Sequence, residues 1–152
     1  MAVLGYVRIA YFVDFIVIDY LGLLSGYGNK SSYERVSALS RNIKVMATEL
    51  NVPVLVLVQL NRDSKSRENK RPVLTDIRES GAIEQDAGFV LFAYRDYMFS
   101  GDYDKKDDLE IIVAKNRHGI SNVTCFLDIN LNTQEISNKI NYRNDKTEWM
   151  YR

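Results

Sequence analysis

Two short apolar runs constrain this chain more than anything else in it. Phe15-Ile-Val-Ile18 and Val54-Leu-Val-Leu-Val58 are continuous rather than alternating, rich in β-branched residues and bounded by polar or turn-forming ones. That is how a parallel strand covered on both faces reads. Between them Tyr33, Val36, Leu39, Ile43, Met46, Ala47 and Leu50 recur at helical spacing, Ser31 and Glu34 stand at capping-box spacing, and Asn51 with Pro53 closes the segment. Parallel neighbours need a long crossover, which this helix supplies, so a right-handed βαβ unit within one α/β domain is predicted. Further strands are expected at Phe89–Ala93 and Glu110–Ala114. From Val123 to Ile140 two extended runs flank Leu131-Asn132-Thr133, which predicts a hairpin.

Ligands in open α/β sheets bind outside the carboxyl ends of the strands, and both apolar runs end on polar residues there. Asp19 directly follows Ile18. A carboxylate in that position either holds Mg²⁺, usually through water, or caps the next turn, and residues 15–24 leave both readings open. Gln59, in V-Q-L-N-R, either places a neutral amide beside a phosphate or attacking water or is satisfied by backbone at a strand end. The partner that Asp19 would need is a phosphate loop, G-x-x-x-x-G-K-[ST]. The nearest approach, S-G-Y-G-N-K-S-S from Ser25 to Ser32, has Asn29 before Lys30 and Leu24 where the first glycine is due, so its backbone cannot wrap a phosphate in that way. No lysine in the chain follows a glycine.

Charge narrows the partners. Lys and Arg total 20 and Asp and Glu total 20, for a formal net charge of zero, so any nucleic-acid contact must be local. The basic run Arg62, Lys65, Arg67, Lys70 and Arg71 is such a place, or else a solvated face. A single cysteine, Cys125, forbids an internal disulfide, and a lone His118 argues against structural zinc; a reducing, cytoplasmic setting is expected. Cys125 reads as a buried small hydrophobe and His118 as a loop residue. Ala2 to Leu24 is largely apolar, but Arg8, Asp14 and Asp19 interrupt it, and neither a membrane span nor a signal peptide is read there.

Five motifs in register, V-I-D-Y-L, N-V-P-V, Q-L-N-R, R-E-S-G-A-I-E-Q-D-A and K-N-R-H-G, resemble the C-terminal RecA-like ATPase domain of DnaB-type replicative DNA helicases. The resemblance implies a partial RecA-like fold over residues 15–140, with a mostly parallel central sheet flanked by helices and a C-terminal β-hairpin. Residues 1–14 do not match and residues 141–152 form a tail. It implies that Asp19 is the Walker B carboxylate on Mg²⁺, that Gln59 senses the γ-phosphate of ATP, and that Arg78, Glu79 and Gly81 belong to a loop gripping single-stranded DNA. It also implies that Lys115 and Arg117, which as i and i+2 in extended chain project to one side, reach a neighbouring subunit's ATP. Their other reading is a basic surface hairpin. The implied partners are single-stranded DNA and other helicase subunits in a homohexamer, or a separate N-terminal half; no membrane is implied. Two departures stand out: Gly22 replaces the family's glutamine after D-Y-L, and the Walker A and catalytic-glutamate motifs have no match in these 152 residues. The functional expectation is the C-terminal portion of an ATP-dependent 5′–3′ helicase; the alternative is a non-catalytic DNA-binding or ring-regulatory module, or an inactive remnant, derived from one.

Overall fold

The computed structural model describes residues 13–24, 31–61, 67–77 and 80–139. The Ser25–Ser32 lookalike lies mostly outside these residues, as do Arg78, Glu79 and the tail. The βαβ unit is present. Strand β1 (Ile16–Ile18) pairs in parallel with β2 (Val54–Val56), Ile16 opposite Val54 and Ile18 opposite Val56. Helix α1 (Ser32–Leu50) joins them. Its capping box forms as the spacing predicts: Glu34 N–H donates to Ser31 Oγ at 3.3 Å, and Ser31 N–H donates to Glu34 Oε2 at 2.9 Å. At the other end Asn51 turns left-handed, φ 49°, and Val52 N–H donates to the Ala47 carbonyl. Leu39 and Met46 carry the buried stripe of this helix, while Tyr33, at its amino end, is exposed.

A second sheet holds the rest. Strands β3 (Phe89–Tyr94), β4 (Asp108–Asn116), β5 (Val123–Asn130) and β6 (Glu135–Asn138) run in that order and are all antiparallel. Helix α2 (Ser80–Asp86) precedes β3, and a short helix α3 (Tyr97–Ser100) lies between β3 and β4. The expectation of a mostly parallel sheet is therefore corrected: among the described residues the larger sheet is antiparallel, and β1–β2 is the parallel pair. For β4–β5 and β5–β6 the physical reason is connection length, because segments 117–122 and 131–134 are too short for a crossover and permit only antiparallel return; the β3–β4 connection, 95–107, is long enough that its length does not decide the direction. The predicted C-terminal hairpin is β5–β6. Asn130 Oδ1 accepts from Asn132 and Thr133 N–H at 3.0 and 3.3 Å, and Gln134 closes the turn at φ 59°.

One core joins the two sheets. Ile77, Val90 and Phe92 are buried together, and Val58, Leu74, Ile83, Ala87, Ile112 and Ala114 pack on them. The expectation that the first two strands are covered on both faces fails in this chain: Val17 is 56% exposed and Leu55, paired with it, 45%. Cys125, expected inside, is exposed on β5.

Candidate functional site

Asp19 and Gln59 come to the same end of the parallel pair. Leu57 N–H donates to the Ile18 carbonyl at 2.9 Å and Leu21 N–H donates to the Leu57 carbonyl at 3.0 Å, so the ladder holds the two strands together up to the residues in question. Asp19 follows β1, Gln59 follows β2 by three residues, and both side chains are exposed at the same, carboxyl edge of the parallel pair. Directly after Asp19, the Leu21–Leu23 turn buries Leu21. A Cβ on Gly22 would stand 2.7 Å from the Tyr20 ring, so a larger residue there would require that ring to move.

One carboxylate beside one amide suits a particular kind of cation. Mg²⁺ keeps several waters and takes one or two carboxylates plus phosphate oxygens. Asp19 fits a Mg²⁺ that arrives with a nucleotide. A self-standing metal centre is a poor fit, since among the described residues no three His, Cys, Asp or Glu side chains converge.

Lys115 and Arg117 do share a target, as their spacing predicts, but in this structure the target lies in the same chain. Lys115 Nζ donates to the Glu84 carbonyl, and Arg117 Nη2 donates to the Gln85 carbonyl at 2.5 Å. Those carbonyls close the last turn of α2, whose orphan acceptors and negative dipole end attract cations. The Arg117 N–H also donates to the Gly88 carbonyl at 2.9 Å. Lys115 directly follows Ala114 and Gln59 directly follows Val58, and both of these apolar residues pack on the common core. Of the residues that the resemblance assigns to a DNA loop only Gly81 is described; a Cβ there would meet nothing closer than Tyr33 Oη at 4.0 Å, so packing alone does not require glycine. His118 lies in the exposed turn after β4 as expected.

Several contributors carry no clear mark in the sequence. Asn116 folds over the turn that follows Lys115, accepting from His118 N–H at 3.0 Å and donating to the Ile120 carbonyl at 3.3 Å. A Cβ on Gly119 would stand 2.8 Å from its amide nitrogen, so an Asn–x–x–Gly spacing was the available signal. Two of the basic-loop residues prove structural. Arg67 Nη2 donates to buried Asp76 at 2.6 Å, while Asp76 also accepts from Val73 N–H at 2.8 Å. Arg71 stands 2.6 Å from the buried Glu110 carboxylate, donates to Thr124 Oγ1 and lies over the Tyr94 ring. Nothing in the sequence pairs residues so far apart.

A parallel pair ending in a carboxylate and an amide, joined by one core to an antiparallel sheet, defines a RecA-like α/β fold. The family model for the DnaB-like helicase C-terminal domain matches residues 6–138, and the chain belongs to that family. It is 50% identical over 106 residues to the replicative DNA helicase DnaB of Geobacillus stearothermophilus and 48% identical over 106 residues to the replicative DNA helicase DnaC of Bacillus subtilis (strain 168), covering 68% of this chain and 23% of each helicase. Two solved structures superpose with TM-score 0.79 and 39% identity over 83% of this chain: an ATPase domain, of which 44% is covered, and a DnaB-like replicative helicase described with its interactions with primase, of which 30% is covered. The chain thus spans about a quarter of the length of the curated relatives it matches.

Proposed function

We propose that this chain is the magnesium-holding, DNA-gripping and finger-bearing portion of a DnaB-like replicative helicase, which unwinds DNA 5′ to 3′ at the expense of ATP in a homohexameric, cytoplasmic assembly. The observation that carries the reading is the placement of Asp19 and Gln59 at the same, carboxyl end of the parallel strands, in a chain of this family. Asp19 would hold the nucleotide's Mg²⁺ through water, and Gln59 would offer its amide to the γ-phosphate or to attacking water. Bound ATP and Mg²⁺ supply the phosphoryl group and the charge neutralisation for its transfer. Lys115 and Arg117 would bring positive charge to the neighbouring subunit's triphosphate, a contribution of about 10³ to 10⁵ in rate when it is complete. Arg78 and Glu79, with Gly81 beside them, would follow the single-stranded backbone without reading bases. The phosphate cradle itself must come from a P-loop-bearing segment, whether in the same polypeptide or another.

Mixing the chain with the P-loop-bearing half of a DnaB-like ATPase domain and measuring DNA-stimulated ATP hydrolysis tests this. Hydrolysis should appear on mixing and vanish with Asp19→Asn. Arg117→Ala should remove most of it while leaving nucleotide binding nearly intact. Single-stranded DNA binding that Arg78→Ala weakens, with no hydrolysis under any pairing, would instead favour a non-catalytic DNA-binding or ring-regulatory module.

A further inference from the structure

Helix α2 has seven residues, too few to persist without outside support. It begins directly after Arg78 and Glu79, so whatever fixes α2 also fixes the carboxyl anchor of the proposed DNA loop. Two kinds of support are ordinary. Ile83 and Ala87 pack on the core, and Asp86 accepts from Ser40 Oγ at 3.0 Å and from Arg41 Nη1 at 3.3 Å, which ties the helix to α1. The third support is different. The last carbonyls of α2, on Glu84 and Gln85, are held by Lys115 and Arg117, the two cations that the proposed function sends to a neighbour's triphosphate.

We propose that Lys115 and Arg117 form a two-position latch. In one position they are positioning residues for α2, and through it for the DNA loop of their own subunit; in the other they leave the carbonyls for a phosphate group. Both positions use cationic donors, so both sets of hydrogen bonds are charge-assisted, but a phosphate oxygen adds the Coulomb attraction of a full negative charge that a neutral carbonyl lacks. A triphosphate within reach therefore outcompetes the helix end. Loosening α2 as the finger engages gives the motor a way to tie release of DNA in one subunit to nucleotide in the next. The second position rests on the proposed function; the first rests on the hydrogen bonds alone.

Amide hydrogen exchange and single-stranded DNA binding on the full chain test the two positions. With Lys115→Ala and Arg117→Ala combined, exchange at residues 80–86 should rise by about tenfold or more while α1 stays unchanged, the signature of local rather than global opening. Arg117→Lys, which keeps a donor, should stay near the wild type. Unchanged exchange in α2, or an equal rise across α1 and α2, overturns the tie. Binding to an oligothymidine should weaken several-fold in the double variant with the same salt slope. A slope reduced by about 0.7 for each lost cation would mean direct phosphate contact and overturn the positioning role. Adding Mg²⁺ and inorganic tripolyphosphate should raise α2 exchange in the wild type and not in the double variant; no response overturns the second position. If the wild type binds no DNA, the proposed function fails while the exchange measurement still decides the tie.

Discussion

At Asp76 the chain places a carboxylate with 6% of its surface exposed against one side-chain donor, Arg67, and one backbone donor, Val73 N–H. Asp76→Ala leaves Val73 N–H without that acceptor and Arg67 with only the Arg71 carbonyl, at 3.1 Å. Because the Arg67 side chain is 37% exposed and recovers water, the expected loss is about 2–3 kcal/mol rather than the full cost of orphaning a buried ion, and a urea midpoint measures it. A second residue-scale prediction concerns pH. The Lys105 ammonium, donating at 2.8 Å, and the Tyr94 hydroxyl, donating at 2.9 Å, hold the Asp96 carboxyl below the usual carboxylate range. A depressed folded value means that the unfolded chain binds more protons there as acid is added, so this contribution is present above the ordinary carboxylate range and lost as pH falls through it. Asp96→Asn should flatten that part of a stability–pH curve, and an unaltered acid limb would refute it. These pairings are illegible in sequence. Arg67 and Asp76 read as unrelated charges until the loop folds, whereas Asp19 and Gln59 are legible because each follows an apolar run whose direction fixes where it ends.

Elements are legible to the extent that their signals are local. Helix α1 carries its own start, stop and periodicity within twenty-odd residues of chain, and all three are realised. Sheet direction is different, since it depends on which strands meet. The apolar runs at β3 and β4 look much like those at β1 and β2, yet they pair antiparallel across a connection, 95–107, whose length permits either direction, whereas the short returns at 117–122 and 131–134 fix the directions of β5 and β6. The β5–β6 turn supports a prediction at this scale. Gln134 occupies the left-handed region at φ 59°, where a Cβ crowds the following carbonyl at a cost of about 1–2 kcal/mol. Gln134→Gly removes that crowding but adds unfolded-state entropy, leaving a net gain of about 0.5–1 kcal/mol. Thermal denaturation should show it as a raised Tm, and a lowered Tm would mean that the glutamine side chain holds the turn in some other way.

Among the described residues, the parallel pair leaves one apolar face exposed. Val17 and Leu55 oppose each other across the parallel pair, and Phe15 and Leu57, two residues along their strands, continue the same face; exposures run from 44% to 56%. In sequence these runs read as doubly covered; among the described residues they are covered on one face. Asp19 and Gln59 each lie two residues beyond an outward-facing member of this face, Val17 and Leu57. On the proposed function, a segment that covers the face would bring any nucleotide it cradles to the rim that Asp19 and Gln59 occupy. The prediction is a double substitution, Val17→Lys with Leu55→Lys. Alone, the wild-type chain should self-associate with concentration, and the two lysines should suppress this in sedimentation. Mixed with a P-loop-bearing half, the double variant should recover no ATP hydrolysis, because burying even one unpaired ammonium costs several kcal/mol, enough for about a hundredfold loss of affinity or more. On the proposed function its binding to single-stranded DNA should remain, since neither substitution touches residues 78–81. Full recovery of hydrolysis in the double variant would show that this face stays in water in the working assembly, and that Asp19 meets its nucleotide by another route.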